Sequence, residues 1–260
     1  MIGIRGAILG RLAAAKVEIL EIELIEFAAA AVIVFVAAAA QGTVGLGFNI
    51  VAVPAMSLIN PLLAPVPQLI LSLPQVIALV VREHTEVDRT GVLWILLGRL
   101  PGAALGVWLL SVATQGMLDM IIGLLVLAAV IVLASGVHLT RNRSIEFGAG
   151  VFAGVASYVS TIGGPPVALL YSREEGPTIR ATLGLVFLMG MSVTLTVRIV
   201  AGDITRMDVV YGLSLMPAAA MGFALSSWIK ERIAPSHLRL GVFVLSSLAA
   251  VALLGRAAFG

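Results

Sequence analysis

The residues of this chain that could hold a solute collect around two interruptions of apolar sequence. One is Ser160-Thr161-Ile162-Gly163-Gly164-Pro165-Pro166, preceded by Ser157 and Tyr158; the other is Gly45-Leu46-Gly47-Phe48-Asn49, preceded by Gln41, Gly42 and Thr43. Two glycines followed by two prolines cannot sustain the i to i−4 ladder. Glycine gives up backbone order, and proline lacks the N–H and clashes with the turn before it. The pattern predicts a broken helix at each place. A half-helix that restarts after such a break offers backbone N–H groups at its positive dipole end, which is a cradle for an anion. Glycine lets a solute reach the main chain, while Gln41, Asn49, Tyr158, Ser160 and Thr161 add amide and hydroxyl groups. For Gly42, Gly45 and Gly106, close helix packing explains a small residue equally well.

Three arginines could supply positive charge. Arg99 lies eight residues into the apolar segment 91–113. A cation at that depth costs at least a few kcal/mol unless it faces a pore, a partner or water; the alternative is a side chain that snorkels to the headgroups. Arg82 and Arg198 end equivalent segments, and read either as paired gate residues that attract an anion or as membrane-flank anchors. Gln68, Ser72 and Gln75 fall at i, i+4 and i+7, a polar stripe on one helical face that suits the lining of a path. No carboxylate lies at mid-depth, since Asp119 is near a segment start, so a buried proton relay has little support.

Enzyme signatures are missing. His84, His138 and His237 stand at segment ends with no metal-ligand spacing. There is no nucleophile elbow and no phosphate loop. No cofactor is expected, and cysteine is absent, which excludes disulfides and thiolate metal sites.

The elements that must position these residues are membrane helices. The chain has 260 residues, 60% hydrophobic and 12% charged, with a mean hydropathy of +1.11. A soluble domain carries roughly 25% charged residues. A net charge of +2 without a basic cluster gives no nucleic-acid surface. Residues 1–26 hold glutamates where a cleavable signal needs its apolar core, so they read as a polar lead-in. Apolar segments follow at 27–60, 62–82, 91–113, 117–138, 146–172, 178–201, 207–229 and 237–259. The first has 34 residues, about 51 Å as a straight helix, so it must bend, break or double back.

A shift of 116 residues superposes Gly47 on Gly163, Pro61 on Pro177, Arg82 on Arg198, Pro101 on Pro217 and Gly106 on Gly222, without a gap. The chain therefore reads as two homologous halves, 27–138 and 146–260, joined by a linker at 139–145. Internal repeats with discontinuous helices are a common construction in secondary transporters. If 27–60 crosses once, each half has four spans and the repeats are parallel; if it dips and returns, they are inverted. The distribution of basic residues favours about eight spans with the N-terminus inside. The expectation is an all-α polytopic protein of about eight transmembrane helices in two four-segment repeats, the first helix of each repeat broken.

Two halves, each opening with a glycine-rich hairpin motif, resemble the TauE/SafE family of membrane permeases over nearly the whole chain. Gly42, Gly45, Gly47 and Asn49 match the family's first motif, and Gly154, Gly163, Gly164 and Pro165 the second. The sequence departs at Phe48, Tyr158 and Thr161, where glycines are common. The resemblance implies export of a small sulfur-containing anion, such as sulfite, sulfoacetate or another organosulfonate, across the bacterial cytoplasmic membrane. In this reading the anion sits between the breaks near Gly45, Gly47, Asn49, Ser160, Thr161, Gly163 and Gly164, with Gln41 and Tyr158 beside it. Arg99, or Arg82 with Arg198, supplies compensating charge, and one half rocks against the other. A passive anion channel and a permease for a different organic anion are the alternatives. The sequence names no coupling ion.

Overall fold

The computed structural model describes residues 23–44, 47–82, 88–135, 140–171, 176–232 and 235–259. Regular structure among them is helical throughout, as continuous apolar runs dictate. In chain order the helices are α1 (Leu24–Val44), α2 (Phe48–Ile59), α3 (Val66–Arg82), α4 (Arg89–Val112) and α5 (Gln115–Ser135). After these come α6 (Arg143–Ser160), α7 (Gly164–Leu170), α8 (Gly176–Ala201), α9 (Arg206–Arg232) and α10 (Pro235–Phe259). Side-chain caps set several starts: Asp88 accepts from Gly91 N–H at 3.2 Å before α4, and Asn142 from Ile145 N–H at 2.9 Å before α6. Among the described residues, 7 stretches are long and apolar enough to cross a membrane, on α1, α3, α4, α5, α8, α9 and α10. The protein is a multi-pass helical membrane protein.

Both interruptions are real. α1 stops at Val44 and α2 begins at Phe48; α6 stops at Ser160 and α7 begins at Gly164. Gly47 takes a φ of 126°, which only glycine adopts cheaply, and Thr161 is left-handed at φ 56°. Each broken segment then turns back on itself. Phe48 N–H donates to Gln41 Oε1 at 3.2 Å, and at the other end of the pair Asn60 Nδ2 donates to Glu26 Oε2 at 3.2 Å. Contacts at both ends make α1 and α2 an antiparallel hairpin. In the second pair Gly163 lies against Ala153 and Ser157 of α6. Tyr171, just past α7, meets Asp88 and lies under the Arg141 guanidinium, beside the start of α6.

The single run expected for 27–60 is therefore a hairpin. The return arms are too short to go on: α2 has 12 residues and α7 has 7, about 18 Å and 10 Å of helix against about 30 Å of hydrocarbon. α3 runs from the Asn60 end of the first hairpin to the Asp88 end of the second, so the two hairpins open at opposite faces.

Glycine seams set the closest packing. α4 presents Gly98, Gly102 and Gly106 to α6, which answers with Gly150 and Gly154. A side chain at Gly98 or Gly102 would run into the α6 backbone at Phe147 or Val151, and one at Gly150 into Ile95 of α4. Gly106 makes room for the Tyr158 ring. α1 packs on α9 in the same manner, with Gly42 against Ser226 and Gly222 against the Phe35 carbonyl. Three buried apolar clusters result. One joins α1, α2 and α9 with Leu71 of α3 and Val242 of α10, a second joins α3, α4, α6, α7 and α8, and a third joins α2, α5 and α10.

Candidate functional site

The two interruptions meet. Asn49 Nδ2, in the first turn of α2, donates to the Thr161 carbonyl at 3.1 Å, across 112 positions of chain. Around this contact lies a cavity of about 70 Å³ walled by Gln41, Gly47, Phe48 and Asn49 from one break and by Thr161, Ile162, Gly163, Gly164 and Pro165 from the other. Its walls draw on all three apolar clusters, through Phe48, Phe187 and Ile50. A single water needs on the order of 10–15 Å³ of such space, so a small solute fits.

Arg99 is the charged member of this wall. Its residue is 2% exposed, so the snorkelling alternative is ruled out: the side chain turns inward. Gly190 of α8 leaves space for the guanidinium, and Gly163 lies beside it. Nη1 donates to Ser157 Oγ at 3.3 Å, while Nε is buried without a partner. Among the described residues no carboxylate pairs with Arg99. A positive charge thus faces a cavity with a hydroxyl oxygen as its recorded partner, an arrangement that a bound anion would complete.

The polar residues divide by what they already hold. Gln41 is buried and its Oε1 accepts from Phe48 N–H, which stabilises the start of α2. Asn49 Oδ1 is buried without a partner. Thr161 Oγ1 donates to the Ser160 carbonyl at 2.7 Å. Ser160 lies outside the cavity wall, its hydroxyl donating to the Ala156 carbonyl at 2.8 Å. Ser72 joins the wall with its hydroxyl donating to the Gln68 carbonyl at 2.7 Å. Gln68 and Gln75 from the same stripe are buried elsewhere, against Met56 Sδ and the Leu71 carbonyl. The expected row of bare amides is also reduced. Gly163 and Gly164 keep N–H groups at the wall, but Pro165 and Pro166 have none.

Tyr158 and Arg198 stand apart from the cavity. Tyr158 is fully buried, its hydroxyl meeting Asp203 and its ring stacked under Arg198, whose Cζ is 4.5 Å from the ring centroid. Arg198 also donates to the Tyr158 carbonyl. This pair props the outer side of the α6 break and does not line the space. Arg82 ends α3, and its side chain lies outside the described residues, as does Gly45. Sequence reasoning missed the pairing of Ser157 with Arg99. A signal existed, since the 116-residue shift places Gln41 on Ser157; each break is thus preceded six residues earlier by a polar side chain that the structure puts on the cavity wall.

Neither the curated proteins nor the solved structures contain a match to this chain. The sulfite exporter TauE/SafE family, a family of membrane transporters, matches residues 30–253, and the chain belongs to it.

Proposed function

We propose that the protein is a secondary transporter for a small sulfur-containing anion, sulfite or an organosulfonate, in the bacterial cytoplasmic membrane. The observation that carries this reading is Arg99, a buried cation without a carboxylate at a cavity where both helix breaks meet. The anion would accept from the guanidinium, from the Ser157 hydroxyl and from the N–H groups of Gly163 and Gly164. Asn49 ties the two hairpins together beside it, and Gln41 holds the start of α2.

The repeat reading finds support in reciprocal packing. α1, which opens the first half, lies on α9 of the second; α6, which opens the second half, lies on α4 of the first. Two return hairpins leave three crossings in each half, an odd number, so the proposed repeats are inverted. Inverted repeats about a midplane site are suited to alternating access.

Uptake of labelled sulfite, sulfoacetate and methanesulfonate into proteoliposomes tests the proposal. Saturable flux of at least one of them above protein-free vesicles, accelerated by unlabelled substrate on the far side, is the expected result. Flux equal to that of empty vesicles for all three would sink it, and flux without acceleration would make the protein a passive channel.

A further inference from the structure

Resting on the anion-transport reading, we infer that the cargo is a singly charged organic sulfonate with a short apolar chain, and that bare or doubly charged sulfur oxyanions are poor cargo. The wall holds one formal charge, Arg99, so a second negative charge would leave water without a cation to meet it. The donors free to meet a solute are few. Arg99, Ser157 and Gly163 stand together, whereas Asn49, Ser72 and Thr161 already donate to backbone carbonyls and Phe48, Val76, Phe187 and Met191 have no side-chain donor to offer. A bare oxyanion would lose hydration over its whole surface and regain hydrogen bonds over part of it. An alkanesulfonate matches both sides, with its head at Arg99 and its carbons against the apolar wall.

Volume limits the chain length. The cavity of about 70 Å³ corresponds to roughly five to seven water-sized positions. A sulfonate group fills four of them, leaving room for one to three carbons.

The experiment uses the full chain in proteoliposomes and measures inhibition of labelled methanesulfonate uptake by ethanesulfonate, propanesulfonate, ethane-1,2-disulfonate and sulfite. Each added methylene up to propanesulfonate should lower the half-inhibitory concentration about fourfold, while disulfonate and sulfite need about tenfold more than propanesulfonate. Met191→Ser should flatten the chain-length dependence. Sulfite or disulfonate competing as well as propanesulfonate overturns the inference and leaves anion transport standing, as does an unchanged slope in M191S. Saturable uptake of labelled sulfite but not of labelled methanesulfonate also overturns the inference alone, and absence of saturable uptake of both removes both readings.

Discussion

Arg99 is worth more to this protein than its place in a helix explains. Burying a cation without a counter-ion is a cost to folding, and the side chain is kept at a cavity all the same. Arg99→Gln removes that cost together with the anion's strongest partner. Hydrogen bonds to charged groups contribute about 1.5–3 kcal/mol, so transport should fall roughly 10- to 100-fold. Thermal stability in detergent should hold or rise; loss of both together would make the residue structural. Asn49→Asp keeps the size of the side chain but adds a negative charge to the cavity wall, and should reduce transport by a similar factor in the same vesicles. That Arg99 interrupts an apolar run was legible in the sequence, which left open whether the side chain is buried or snorkels. Its orientation was not, because that depends on Gly163 and Gly190, which come from other helices to leave it space. Arg198 looked equivalent by register and differs because Tyr158 offers it a ring and a carbonyl.

At the level of elements, the two interruptions were readable from glycine and proline alone, to within a residue or two. Whether the chain crossed or returned was not. That depends on where the arms find partners, and the partners of Asn60 and Tyr171 are Glu26, Asp88 and Arg141, distant in sequence. The native chain has no cysteine, so the hairpin can be tested directly. Glu26→Cys with Asn60→Cys should form a disulfide under mild oxidation, seen as a mobility shift that reductant reverses. A single crossing would separate the two positions by about 30 Å and give no product. Gly102→Leu probes the other kind of element contact. Its side chain would meet the α6 backbone at Val151, so the variant should be recovered in much lower yield and melt at a lower temperature, whatever substrate is present.

For the whole molecule, return hairpins change which loops share a side. The face that carries Asp88 also collects Arg82, Arg89, Arg141, Arg143, Arg180, Lys230, Arg232 and Arg239 at helix ends and connections. On the opposite face the connections between α2 and α3 and between α4 and α5 have no basic residue, while Arg206 opens α9 and Arg256 stands in the last turn of α10. Basic residues favour the cytoplasmic side, so the Asp88 face is expected inside. This reverses the N-terminus-inside arrangement that the eight-crossing reading favoured. Thr140→Cys should then react with a membrane-impermeant maleimide only after the cells are opened, and Leu62→Cys in intact cells. The opposite pattern would restore the earlier orientation.

The glycine seams carry a consequence for motion. Gly98 and Gly102 lock α4 to α6, and Gly42 and Gly222 lock α1 to α9, so each half of the chain is clasped by the leading helix of the other. Prising the molecule apart between residues 138 and 146 would tear both clasps at once. Under the proposed alternating access, the moving part would be a mixed body, such as α4, α6, α7 and α8 pivoting past α1, α2 and α9, with Asn49 and Thr161 as the latch between them.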